Sequence, residues 1–230
     1  MDQSSEQVKV TIDGHSVSVP YDTTILEAAE KLRIYIPTLC HNENLPAYAV
    51  CRVCLVEIDD GRRKRIVPSC AYPIRRELTV STNNEKVTRI RKGVIQLLYA
   101  RCPDEPVVQQ LAARYGVEGP HPRMVKKKED CVMCGLCVKV CEQIVGVSAI
   151  GIEGRGADRR VVPPYDEQNT QCIACGACAY ICPTQCIKFT EDGDIRRLER
   201  WHRELDVSKL PDSERGRYST FLQNFFKDKL

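Results

Sequence analysis

Apolar and polar residues alternate through VKVTIDGHSVSV (8–19) on either side of Asp13-Gly14, a pair suited to a tight turn, and the pattern predicts a β-hairpin. In DTTILEAAEKL the period lengthens. Ile25, Leu26, Ala28, Ala29 and Leu32 share one face of a short helix, and Thr24 and Glu27 have the spacing of a capping box. Residues 33–53 carry little regular pattern and read as a long loop. CLVEI, DDG and RRKRIVPSC predict a second hairpin, and ELTV a further short strand. NEKVTRIRKGVIQLLYA returns to helical spacing, with Val87, Ile90, Val94, Leu97 and Leu98 on the apolar face and Pro103 ending it. A second helix is expected from Pro106, capped by Asp104, to Gly116. EGPHPRMVKKK reads as a linker broken by prolines, and GIEGRGADRRVVPPYDEQNT as a loop insertion.

Strands wrapped around one helix suggest a β-grasp over the first 84 residues. Its cysteines Cys40, Cys51, Cys54 and Cys70 are spaced C-x10-C-x2-C-x15-C, three on the loop and one at a strand end. We read them as ligands of a [2Fe–2S] centre, with a structural zinc or unrelated buried thiols as the alternatives. Plant-type ferredoxins use C-x4-C-x2-C instead. Further on, CVMCGLCVKVC (131–141) and CIACGACAYIC (172–182) each hold four cysteines spaced C-x2-C-x2-C-x3-C. One zinc has little use for that crowding, since it takes four ligands as a tetrahedron. A cubane iron–sulfur cluster suits it, with three thiolates from one tight loop and the fourth from the companion motif. Gly135 and Gly176 lie in these loops, where a missing side chain lets backbone N–H groups approach the sulfurs.

Composition narrows the setting. The chain has 230 residues, 43% of them hydrophobic and 28% charged, enough for two small domains or more. Its 14 cysteines are too few for a disulfide scaffold, and clustered thiols suit a reducing compartment. MDQSSEQVKV does not look like a secretory leader, and no stretch approaches the ~20 apolar residues of a membrane span. A cytoplasmic location is expected. Net charge is +3, and short basic runs such as RRKR read as solvated faces rather than a nucleic-acid surface. The glycine-rich fingerprint of a nucleotide-binding strand–helix turn is absent.

The strings PTLCHNENL, CRVCLVEI, PSCAYP, CVMCGLCVKVCEQIVGVSAIG and CIACGACAYICPTQCI, in this order over residues 7–190, resemble a family of iron–sulfur subunits. It comprises the N-terminal region of complex I's large peripheral subunit, the small diaphorase subunit of NAD-reducing hydrogenases, and the N-terminal parts of [FeFe]-hydrogenases and NAD-dependent formate dehydrogenases. In such proteins the first cubane motif commonly ends in Cys followed by an acidic residue, as Glu142 follows Cys141 here. The resemblance implies a [2Fe–2S] cluster on Cys40, Cys51, Cys54 and Cys70. It implies one [4Fe–4S] cluster on Cys131, Cys134, Cys137 with Cys182, and another on Cys172, Cys175, Cys178 with Cys141. Many members hold a further cluster through H-x3-C-x2-C-x5-C. Here that stretch, LLYARCPDEPVVQQLAARYGV, keeps only Cys102, so no cluster is assigned to it. Cys102 and Cys186 are read as thiols outside the ligand sets. His41 is read as a solvent-facing or hydrogen-bonded neighbour, since four cysteines already suffice.

No catalytic residue is assigned, because no nucleophile, general base or open metal position is evident. The expected fold is α+β, in four parts. Residues 1–84 form a [2Fe–2S] β-grasp domain and 85–128 a helical linker. Residues 129–192 form a bacterial-ferredoxin-like domain with two [4Fe–4S] clusters, and 193–230 a helical docking tail. The tail's apolar face would be Tyr218, Phe221, Leu222, Phe225 and Phe226. The implied role is single-electron transfer between a flavoprotein, NAD(H)-linked, and a further redox subunit of a hetero-oligomeric complex. A diffusible polyferredoxin is one alternative, though the linker and tail would then be unnecessary. A succinate dehydrogenase-type subunit would need the C-x4-C-x2-C spacing, and a redox-sensing regulator a DNA-binding or signalling module. Neither is visible.

Overall fold

The structure is a computed structural model that describes residues 6–121, 123–124, 128–167 and 170–212. The chain divides into two compact units, Met1–Cys134 and Gly135–Leu230.

In the first unit, β1 (Gln7–Ile12) and β2 (His15–Pro20) pair antiparallel from Gln7↔Pro20 to Ile12↔His15. Asp13 (φ 47°) and Gly14 (φ 86°) supply the two left-handed residues that such a turn demands. The helix α1 (Ile25–Lys31) begins at the expected capping box: Glu27 N donates to Thr24 Oγ1, and Thr24 N donates to Glu27 Oε2 at 2.7 Å. β3 (Leu55–Asp59), β4 (Lys64–Pro68) and β5 (Leu78–Ser81) complete a sheet of order β2-β1-β5-β3-β4, in which β1 and β5 run parallel. The α1 side chains Ile25, Leu26, Ala28 and Ala29 join Val10, Ile12, Val56, Ile58 and Val80 in one core. One helix against a mixed sheet is the β-grasp arrangement.

Helices α2 (Glu85–Arg101) and α3 (Pro106–Arg114) follow. Asn84 caps α2, its side chain accepting from Val87 N at 2.9 Å. Glu105, not Asp104, occupies the cap position of α3, with Pro106 at its first turn. The buried stripe of α2 also differs from the expected one. Val87, Arg91, Ile95 and Ala100 point inward, and Leu97 is exposed. The stripe is shifted because Arg91, an inward-facing cation, finds carbonyl acceptors below the helix. Ile95, Leu111, Ala112 and Val117 pack with Leu39 and Val53, which neighbour Cys40 and Cys54. The two helices therefore brace the cysteine loop from beneath.

The second unit opens with α4 (Leu136–Lys139), continued by one wider π-type turn through Val140–Ile144. The stretch read as a loop insertion contains a small hairpin, β6 (Gly151–Glu153) with β7 (Arg160–Val162). α5 (Ala177–Tyr180) lies in the last cysteine motif. A three-stranded antiparallel sheet follows, β8 (Phe189–Asp192), β9 (Ile195–Leu198) and β10 (Arg203–Asp206), in the order β10-β9-β8. This corrects the expected helical tail from residue 193: a boundary there would cut the β8–β9 turn. Directly opposed charges hold the sheet's register, Glu191 with Arg196 and Glu204 with Arg197, each pair bonded at 2.8 Å. The apolar face expected at 218–226 lies outside the described residues. Among those described, no helix is long and apolar enough to cross a membrane.

Candidate metal centres

Three sharp turns present the thiols. Each contains a non-glycine residue forced to positive φ: Arg52 (59°) beside Cys51, Met133 (56°) between Cys131 and Cys134, and Ala174 (47°) between Cys172 and Cys175. Such backbone is costly for L-residues and recurs where a site over-determines it. The two motif glycines, Gly135 and Gly176, both at φ 75°, then start α4 and α5. At Gly176 a Cβ would meet the Phe189 ring at 3.0 Å, so the position requires glycine for space as well as for conformation.

In the first unit Cys40, Cys54 and Cys70 are buried and Cys51 is half-buried. Cys51 N donates to Cys40 Sγ at 3.4 Å, and Cys54 Sγ lies 3.4 Å from Cys70 Sγ. The contacts thus join the thiols two by two, Cys40 with Cys51 and Cys54 with Cys70. A hydrogen bond from Cys40 lowers Cys51 to about 6, and one from Cys70 lowers Cys54 to about 6. Cys40 and Cys70 move up in return, through these thiol contacts and through burial. Metal binding by such thiols would release their protons. Ser69 is fully buried and its Oγ has no hydrogen-bond partner, although it faces Cys54 closely enough to favour the thiolate. Buried hydroxyls are rarely left orphaned, and this one adjoins the thiols where sulfur-bearing iron would sit. His41 is half-buried, and its Nδ1 is buried without a hydrogen-bond partner.

In the second unit Cys141, Cys172, Cys175 and Cys178 line one pocket, walled by Val145, Ile150, Ile173, Leu198 and Trp201. Sequence reasoning grouped these four thiols, and geometry brings them together. Burial pushes Cys175 up to about 11 and Cys178 up to about 12, and it raises Cys141 and Cys172 as well. Such thiols stay protonated until a metal takes the proton's place. Backbone N–H groups already aim at sulfur: Ala149 N donates to Cys141 Sγ at 3.2 Å, and the Ala174 and Ala177 amides favour the Cys172 and Cys175 thiolates. Four thiols, an apolar wall and N–H donors fit a cubane cluster.

Cys131 and Cys134 close the first unit, and Cys137 and Cys182 belong to the second. Met133 N donates to Cys131 Sγ at 3.4 Å, and Arg101 Nε donates to the Cys131 carbonyl at 2.8 Å. Cys182 Sγ lies 3.6 Å from Cys186 Sγ, a proximity that spacing alone did not reveal. The bond with Cys186 and burial raise the Cys182 thiol. Cys102, at the end of α2, is fully buried, and burial pushes it up to about 12. Among the described residues, no three His, Cys, Asp or Glu side chains close around one point as ligands of a single ion do. The second-unit thiols surround a space instead.

Residues 5–85 match the 2Fe-2S iron-sulfur cluster binding domain family. The chain is 34% identical to the NADP-reducing hydrogenase subunit HndD of Solidesulfovibrio fructosivorans, over 76% of this chain and 35% of that protein. It is 29% identical to the mitochondrial NADH-ubiquinone oxidoreductase 78 kDa subunit of Candida albicans, over 77% of this chain and 28% of that protein. The matches thus span about a third or less of these longer relatives. Among solved structures, a chain of the NAD+-reducing [NiFe]-hydrogenase in its H2-reduced state superposes with a TM-score of 0.65 at 27% identity, covering 90% of this chain and 98% of that one. The chain is therefore a relative of subunits of NAD(P)-linked oxidoreductases, similar to the N-terminal region of complex I's large peripheral subunit and to a chain of NAD-reducing hydrogenase, with a 2Fe-2S iron-sulfur cluster binding domain at residues 5–85.

Proposed function

We propose that this protein is an electron-transfer subunit carrying one [2Fe–2S] and two [4Fe–4S] clusters, linking an NAD(H)-linked flavoprotein to a further redox subunit. The observation that carries the reading is the convergence of Cys141, from one motif, with Cys172, Cys175 and Cys178, from the other, on one apolar pocket. This convergence supports the reading, because paired cubane motifs exchange their fourth ligand. When bound, such clusters take up and release single electrons. The chain's own residues hold and insulate them. Cys40, Cys51, Cys54 and Cys70 would ligate the [2Fe–2S] centre; Cys131, Cys134, Cys137 and Cys182 one cubane; Cys172, Cys175, Cys178 and Cys141 the other. Val145, Ile150 and Leu198 exclude water from the last of these, and backbone amides such as Ala149 N–H favour charge on sulfur. Full thiolate coordination leaves no open position for bond chemistry.

The test is anaerobic purification of the native assembly with mass spectrometry of its subunits, followed by NADH addition under electron paramagnetic resonance. Co-purification with a flavoprotein and appearance of reduced-cluster signals on NADH addition are expected. A monomeric protein whose clusters NADH cannot reduce in any isolated assembly would favour a diffusible ferredoxin and defeat the proposal.

A further inference from the structure

The wall of the second-unit pocket contains one group that an apolar lining does not need. Trp201 is 3% exposed, and its Nε1–H has no hydrogen-bond partner among the described residues. Tryptophan N–H groups in protein interiors usually find an acceptor, because an orphaned buried donor carries its full desolvation penalty. The ring lines the same pocket as Cys141, Cys172, Cys175 and Cys178. It is also held there from several sides. A 3-10 turn (Glu199–Trp201) joins β9 to β10 and is closed by His202 in the left-handed region at φ 48°. Leu198, the residue that enters the turn, is 1% exposed. Just after the turn, Arg203 Nε donates to the Cys172 carbonyl at 2.9 Å and ties β10 to the cysteine loop. The β8–β10 sheet thereby brings the indole into the wall of the thiol pocket.

Resting on the cluster assignment proposed above, we infer that the Trp201 indole N–H donates a hydrogen bond to the sulfur of Cys178 when that thiolate ligates its four-iron cluster, and thereby raises the reduction potential of that centre. The indole N–H lies within reach of the Cys178 thiol in that wall. Hydrogen bonds to cluster sulfurs stabilise the more negative, reduced state and are among the levers that set potential. An ordinary packing role predicts something different: any aromatic ring of similar bulk would serve, and the potential would not depend on the N–H.

The experiment is an anaerobic redox titration of the full chain followed by electron paramagnetic resonance. Trp201→Phe keeps the ring and removes the donor. At a fixed potential, the reduced-to-oxidised ratio of one cubane should fall about tenfold, equivalent to about 59 mV for one electron. The other two centres should hold their midpoints. Trp201 is the chain's single tryptophan, so growth on fluorotryptophan modifies this position alone. Its more acidic N–H should move the same midpoint upward. With 15N-indole label, the affected signal should show a nitrogen coupling by electron–nuclear double resonance. An unchanged midpoint in Trp201→Phe overturns the inference. If that variant loses its cluster, the fluorotryptophan protein decides: no shift and no 15N coupling overturns it equally. Absence of any four-iron signal in the wild-type chain defeats the cluster assignment itself, a separate failure.

Discussion

Arg91→Met removes a buried cation from beneath the [2Fe–2S] loop while keeping much of its bulk. Arg91 is 2% exposed and donates to three backbone carbonyls: Val53 O at 3.0 Å, Leu55 O at 2.6 Å and Thr82 O at 3.2 Å. It also donates to the Tyr115 hydroxyl at 3.2 Å, with its guanidinium 5.2 Å from that ring's centroid. Val53 and Leu55 flank Cys54, so one side chain anchors both neighbours of a candidate ligand. Each carbonyl left unpaired in the interior costs about 1–3 kcal/mol. Relief from burying the guanidinium returns several kcal/mol, which leaves a net loss of about 2–4 kcal/mol. Lysine offers charge without the planar fork, so Arg91→Lys should lie between wild type and methionine. Urea unfolding should be followed anaerobically by circular dichroism and by the visible absorbance of the cluster. The account predicts a lower midpoint by both probes and reduced [2Fe–2S] content at purification. A variant with wild-type cluster content and stability within about 0.5 kcal/mol would refute the anchoring argument.

Further outcomes follow from other residues. Cys54→Ser should remove the [2Fe–2S] electron paramagnetic signal alone, whereas Cys102→Ser should retain every cluster signal. Gly176→Ala combines a positive φ with a Cβ 3.0 Å from the Phe189 ring and should destabilise by about 2–4 kcal/mol in chemical denaturation. Gly193→Ala, with open space at its Cβ, should cost only about 1 kcal/mol. Burial raises Cys102 to about 12 from an ordinary 9.0, so the folded chain keeps a proton that the unfolded chain sheds. Its contribution is complete below pH 9.0 and is lost as pH rises towards about 12; relative to Cys102→Ala, wild type should weaken across that window in alkaline urea titrations. Native protein at pH 8 should likewise leave Cys102 unlabelled by iodoacetamide, as mass spectrometry would read.

Short-range signals were legible in the sequence. Asp13-Gly14 and the Thr24–Glu27 pair act over two to three residues, so their spacing determined a hairpin and a cap before any tertiary contact was considered. The cysteine motifs stood out in the sequence because of their tight spacing, and Cys141 lines the same pocket as Cys172, Cys175 and Cys178. Arg91 was not, since arginine in a helix reads as a solvated residue unless its distant acceptors are known. The sheet β8–β10 was hidden for a related reason. DIRRLERWHRELD places Ile195, Leu198, Trp201 and Leu205 three or four apart, a helical interval, while cross-strand charge pairs and the left-handed turn at His202 produce strands. Trp201 and Ser69 could be recognised only by their burial beside sulfur without a polar partner.

The most direct test of the central claim is metal and acid-labile sulfide analysis of the anaerobically purified chain, with cluster types read by electron paramagnetic resonance. One [2Fe–2S] and two [4Fe–4S] clusters require about ten irons and matching sulfide, with three distinguishable reduced signals and no stoichiometric zinc. Stoichiometric zinc, or about fourteen irons with a further four-iron signal, would contradict it.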